Sequence, residues 1–422
     1  MPKDLIHALL STRVTAERIE RKNGQHCCLV VHGESNGCAI VNSVELSLWE
    51  STTPMNGSMS MNAERVGRSK WELDTPALLV DLNLVDQNIA TMATFFRKTG
   101  VGWRPHCKGL KVPALVHKEI AAGAIGATCA KLGEAEAMAA AGVKDILIAN
   151  QVVGAIKVAR LMKLLALADV MVAVDSLENT EELSAASHRA SRHLRVLVEL
   201  DVGMNGAGIQ PGEPAVDLSR KLRDLPGLRY MGLMAWEGHC DRVADPTERK
   251  AACEYAMGLL LDSAELCRKA GLPVEIVSCG GTETFQFTAR ISGITEVQAG
   301  GGIFNDLHYA SQDVRHPFAL TVLSTVISRP TPTRIIVDVG RKSMSDGAAM
   351  PMPKDLNDLK LNACRPSMER SRCRNPAESQ RSETNWNGSL VTAIPPSACM
   401  TRWLGSEAAI WKSFGRFSPA AR

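Results

Sequence analysis

Between Leu73 and Pro353 the chain alternates apolar, β-rich runs with amphipathic stretches rich in Ala, Leu, Glu and Lys, and this alternation limits it to few folds. The apolar runs fall at 102–107, 125–130, 145–150, 170–175, 195–201, 230–236, 275–279 and 296–300. Helical spacing marks the stretches between them, as in Lys131–Ala141 and Ala251–Lys269. Runs that stay apolar on both faces fit parallel strands covered by helices. Eight such units predict an α/β fold with a closed, TIM-type (β/α)8 barrel. A doubly wound open sheet is the alternative, but the chain lacks the Gly-x-Gly-x-x-Gly turn after its first strand. Leu78-Leu79-Val80-Asp81 and Arg334–Val339 lie outside the eight runs and are assigned to a second, β-rich domain that pairs the two ends of the chain.

One run ends in chemistry. Trp103-Arg104-Pro105-His106-Cys107-Lys108 reads as a short buried strand closing on a lysine. A lysine at the C-terminal mouth of a barrel strand can hold pyridoxal phosphate (PLP) as a Schiff base, since desolvation there frees the amine. Ser278-Cys279-Gly280-Gly281-Thr282 and Gly300-Gly301-Gly302 follow, each at the end of its own predicted strand. Such glycine turns let backbone N–H groups close on a phosphate, although either could be an ordinary tight turn. Cys107 and Cys279 flank the proposed site and read as small packing residues, because no base is indicated beside them.

With 422 residues there is room for a barrel of about 250 residues and a second domain. A net charge of +3 gives no argument for nucleic acid or an anionic membrane as partner. No apolar run approaches the roughly 20 residues of a membrane span. Residues 1–25 lack the continuous apolar core of a secretory signal. Twelve Cys without a Cys-x-x-Cys pair favour reduced thiols, and a cytoplasmic enzyme is expected. Residues 1–68 carry no sustained period and are read as a poorly ordered upstream extension. The barrel is placed at 69–330, with a first strand at 77–82 that pairs with the β-domain, and the β-domain starts at 331–361.

The order of these signals resembles the PLP-dependent D-threonine aldolase and D-serine dehydratase family, which shares the alanine racemase barrel. Leu73-Asp74-Thr75-Pro76 with Leu79-Val80-Asp81 is similar to the family's opening strand, and Leu132-Gly133-Glu134-Ala135-Glu136 to a helix start. Arg104-Pro105-His106-Cys107-Lys108 is similar to its Arg-Pro-His-x-Lys strand, whose lysine carries PLP. Asp338-x-Gly340-x-Lys342 through Met350-Pro351 resembles the entry into the C-terminal domain. The resemblance implies Lys108 and His106 as catalytic residues. It implies cofactor contacts from Lys108, Arg104, Trp236, Ser278, Gly280, Gly281, Thr282, Gly300, Gly301 and Gly302, and substrate or rim contacts from Glu237 and His239. His106 either orients the lysine or simply hydrogen-bonds within the barrel; Asp201 is read as placing neighbouring loops. Three departures stand out: Gly109-Leu110-Lys111 follows Lys108 where the family has Thr-His-Lys, Gly206 stands where Arg is common, and Trp236 where Tyr is usual.

The family also implies a homodimer and a divalent metal, Mn or Zn, held by a C-terminal Glu-His-Gly segment and a His-x-Asp or His-x-Cys pair. No such ligands occur in frame here. Read from the third base, the codons permitted over Cys364–Glu369 allow Ser/Pro-Ala-Glu-His-Gly, and those over Leu390–Arg402 allow Gly-(His or Tyr)-x-Asp-Thr-Thr-Val-x-Met-His-Asp-Glu. Residues 362–422 are therefore expected to be an out-of-frame tail that forms no β-domain. The implied activity is PLP-dependent lysis of D-β-hydroxy amino acids, with retro-aldol cleavage favoured. A D-serine or D-threo-hydroxyaspartate dehydratase and a non-catalytic or inactivated PLP-binding protein are the alternatives. A racemase would need a second acid/base, for which the chain offers no candidate.

Overall fold

The computed structural model describes residues 28–30, 39–42, 67, 69–331, 334–340, 343, 351–354, 359–364, 369–373 and 389–393. In chain order the strands are β1 (Cys28–Val30), β2 (Ala39–Asn42), β3 (Ala77–Val80), β4 (Gly102–Trp103), β5 (Ala127–Cys129), β6 (Asp145–Gln151), β7 (Asp169–Val174), β8 (Leu194–Leu200), β9 (Leu228–Ala235), β10 (Ile276–Cys279) and β11 (Glu296–Val297). They are followed by β12 (Leu320–Thr331), β13 (Arg334–Val337), β14 (Met352–Pro353), β15 (Leu359–Cys364), β16 (Glu369–Cys373) and β17 (Ser389–Ala393). The chain divides into two compact units.

The first unit holds Met1–Asn88, Ile303–Ser311 and Arg315–Arg422. Its nine-stranded sheet runs β1-β2-β3-β12-β13-β16-β15, with β17 against β12 and β14. β3 lies antiparallel to β12, Leu79 opposite Thr321, so the two ends of the chain share a sheet. Ala77, Leu79 and Leu323 pack together beneath it. The Asp338 carboxylate accepts from the Thr75 hydroxyl at 2.5 Å and from the Thr325 N–H at 2.9 Å. Strand backbone also occurs where none was expected: β1 and β2 lie within 1–68, and β16 and β17 within 362–422. The remainder of both segments lies mostly outside the described residues.

The second unit, Ile89–Gly302 with Gln312–Val314, is the barrel. Its eight parallel strands run β4-β11-β10-β9-β8-β7-β6-β5. Hydrogen bonds from Ile125 N to Trp103 O (2.8 Å) and from Thr128 N to Pro105 O (2.9 Å) join its two edges. Each expected strand is present, but β4 and β11 are shorter than their apolar runs. Pro105 has no N–H to continue a ladder, and His106 caps a 3-10 turn, Cys107–Gly109. Inside the barrel Leu147, Met171, Ala173, Leu197, Met231 and Met234 form a core. Trp103 is anchored by its indole N–H to Ala299 O at 2.7 Å and stacks on Phe96 at 5.8 Å between centroids.

At Gly232 the β9 backbone runs at φ +139°, and a Cβ there would overlap the Ile276 carbonyl of β10. Gly232→Ala is predicted to cost about 2 kcal/mol or more, read as a lower urea midpoint at unchanged slope.

Candidate active site

The strand order places the ends of β4, β10 and β11 side by side, and three short segments meet there. The first is the lysine turn. His106 caps it, with Nδ1 accepting from the Lys108 N–H at 3.3 Å, and its ring is also hydrogen-bonded to the Thr128 backbone. Burial first, and then the Lys108 charge, hold the His106 imidazole well below the usual histidine range. A neutral ring accepting at Nδ1 carries its proton on Nε2. His106 thus fixes the turn, which favours the orienting role. Lys108 itself is exposed, so the desolvation expected of it is not there. Its Nζ sits 4.9 Å from the centre of the half-exposed Trp236 ring.

The second segment is Gly280–Thr282. The Glu237 carboxylate is fully buried and accepts from Gly280 N at 3.2 Å and from the Thr284 hydroxyl at 2.5 Å. Burial pushes this carboxyl up, opposed by the Thr284 hydrogen bond. Glu237, read as a rim residue, is instead the clamp under the turn. Thr284 was not singled out, and only its place two residues past the glycine turn hinted at it.

The third segment is Gly300–Gly302. A Cβ on Gly300 would overlap the His106 carbonyl, so glycine lets this turn lie against the lysine turn. Thr282 Oγ1 accepts from Gly301 N at 2.8 Å and ties the two glycine turns together. Ser278 lies beneath, its hydroxyl accepting from Gln298 Nε2 at 2.9 Å. The His239 ring packs on Gly203, and its Nδ1 is buried with no hydrogen-bond partner. Asp201 does place a loop, accepting from Gly203 N and Asn205 N at 3.0 Å each.

A model of the alanine racemase N-terminal domain matches residues 80–307, more than half of the chain, and one of a serine dehydratase domain matches 319–408. The chain belongs to the alanine racemase N-terminal domain family. A D-threonine aldolase of Arthrobacter sp. is 36% identical over 275 residues, 64% of this chain and 73% of that protein. A D-threo-3-hydroxyaspartate dehydratase of Delftia sp. (strain HT23) is 34% identical over 286 residues, 65% of this chain and 73% of its own. Among solved structures, D-threonine aldolase from Filomicrobium marinum superposes with a TM-score of 0.72 at 32% identity, covering 77% of this chain and 88% of that one.

Within this family barrel, Arg104 is not brought to the lysine. Its guanidinium binds Glu296 at 3.0 Å and Asp145 at 2.6 Å, and Asp145 also pairs with Arg195 at 2.9 Å. Asp145 and Glu296 open their strands, so this network closes the N-terminal end of the barrel. Arg104→Met strands a buried Glu296. It is predicted to cost about 3–5 kcal/mol by chemical denaturation and to leave cofactor absorbance per folded chain unchanged.

Sequence reading also missed Glu199, near the C-terminal end of β8. Its carboxylate accepts from Gln151 Nε2 at 2.6 Å. Burial, opposed by that bond, and the charges of Asp175 and Asp201 push it up to about 7. Between the ordinary value of 4.5 and about 7 the folded chain keeps a proton that the unfolded chain has released. This group therefore makes stability fall as pH rises through that window and adds no slope above it. Glu199→Gln is predicted to be more stable than the parent at about pH 8 and to lose the advantage near pH 4.5, by urea denaturation.

Proposed function

We propose that this chain is a PLP-dependent lyase of D-β-hydroxy amino acids, of the retro-aldol type. The observation that carries this reading is the convergence of the Lys108 amine, the Trp236 ring and the two glycine turns joined by Thr282. The residues fit PLP by chemistry. A primary amine is available for its aldehyde. A ring face lies beside that amine, the two glycine turns lie at the neighbouring strand ends where its phosphate would sit, and His239 Nδ1 is left over for a polar ligand. When bound, PLP supplies an electron sink for a bond broken at Cα.

The chain's own residues do the rest. Lys108 would hold the cofactor through its side-chain amine. Trp236 limits how a substrate amine approaches it. Glu237, through Gly280 and Thr284, holds the phosphate turn rigid, and His106 fixes the backbone that aims Lys108. His239 offers Nδ1 for a hydrogen bond to the substrate. Arg104 supports the barrel from its other end, and Ser278 supports the turn through Gln298.

The dehydratase reading keeps its place because the Delftia relative is nearly as similar as the aldolase. The family's metal ligands fall in the segment proposed to be out of frame. That proposal rests on the codon reading of 364–369 and 390–402. An unbroken frame on independent reads of the locus would contradict it and leave β15–β17 as the native end of the sheet. A homodimer in the cytoplasm completes the proposal. No helix of the described residues is long and apolar enough to cross a membrane.

The test is the product formed from D-threonine with PLP and Mn2+, by the chain as written and by a frame-restored version. Glycine and acetaldehyde, absent in Lys108→Ala, are expected. 2-Oxobutanoate and ammonia would make it a dehydratase, and no product from either version would contradict the lyase.

A further inference from the structure

Beneath the lysine turn lies a cluster that the proposed chemistry does not use. Cys107 opens the turn and Cys129 ends β5. The parallel bridge between His106 and Thr128 sets the two cysteines side by side. Their Sγ atoms share a hydrogen bond at 3.4 Å, and neither side chain is exposed. The buried Glu134, in the first turn of the helix Leu132–Ala140, completes the group, and the three donor atoms lie within 4.8 Å of one another. Glu134 accepts from Ala130 N at 2.8 Å, and its other oxygen lies 3.5 Å from Lys111 Nζ.

We propose that Cys107, Cys129 and Glu134 form a site for a soft divalent metal ion, Cd2+ or Zn2+, bound by two thiolates and one carboxylate under the Lys108 turn. Zinc–sulfur bonds of about 2.3 Å place two sulfurs roughly 3.8 Å apart at the tetrahedral angle. The present 3.4 Å therefore needs to open by only ~0.4 Å. Two S–H bonds break, two metal–sulfur bonds and one metal–oxygen bond form, and two protons leave to solvent with no change of oxidation state. The dication against two thiolates and one carboxylate leaves a single negative charge, and the Lys111 ammonium beside Glu134 offsets it. Thiolate donors select soft ions over Mg2+ or Mn2+. Both thiols release their protons on binding, so binding strengthens as pH rises.

The experiment is a Cd2+ titration of the full chain, followed by the ultraviolet cadmium–thiolate absorption and by released protons. One saturating Cd2+ per chain is expected at this site, lost in Cys107→Ser and in Cys129→Ser. Glu134→Gln is expected to weaken it by at least about tenfold. A Cys240→Ser/Cys253→Ser double variant, which removes a second hydrogen-bonded thiol pair among the described residues, is expected to keep it. Circular dichroism checks each fold. If Cys107→Ser does not fold, Cys129→Ser and Glu134→Gln carry the test from other elements. An unchanged signal in the folded cysteine variants assigns Cd2+ to other thiols and overturns the site. Unchanged affinity in Glu134→Gln overturns the carboxylate ligand.

Discussion

The close approach of the Gly300 and His106 backbones is the contact on which the site depends. His106 N donates to Gln298 O at 3.1 Å, and Gly300 has no Cβ to hold the two turns apart. The same line of contact closes the barrel between β11 and β4. Barrel closure and site assembly are therefore one event. Lysine and glycine turns distant in sequence become neighbours because the last strand of the barrel pairs with the first. Thr282 extends the arrangement to β10 through Gly301, and Glu237 extends it to β9 through Gly280.

Charge is distributed to match. The N-terminal end of the barrel is neutralised by the Arg104, Asp145, Glu296 and Arg195 network, in which every buried charge has a partner of opposite sign. Near the C-terminal ends of β7 and β8, burial together with the charges of Asp175 and Asp201 raises Glu199, which keeps its proton to about pH 7. One end pairs its buried charges, while the other holds a carboxyl that the fold keeps protonated well above the ordinary carboxylate range.

Much of the fold was legible because strand patterning survives burial. All eight apolar runs became strands, the shortest being β4, which stops just before Arg104-Pro105, and β11, which stops at Val297. The site was legible where a motif is local: Lys108, Gly280–Thr282 and Gly300–Gly302 do converge. It was illegible where a side chain can point either way. Arg104 sits four residues before Lys108, yet its guanidinium reaches toward the N-terminal ends of β6 and β11, because the short stretch between them turns at Pro105 and His106. Glu237 looked like a rim residue because an acid after a strand is usually solvated; here the Gly280 N–H and the Thr284 hydroxyl satisfy it in a buried setting. Glu199 gave no signal, since a single acid in an apolar strand does not reveal its neighbours.

The central claim is that Lys108 is the residue that holds the cofactor. Borohydride reduction of the PLP-loaded chain, followed by peptide mass mapping, tests it most directly. The account predicts one reduced pyridoxyl adduct, on the peptide carrying Lys108. An adduct on Lys111 or another lysine, or none at all in a chain that retains PLP absorbance, would contradict it.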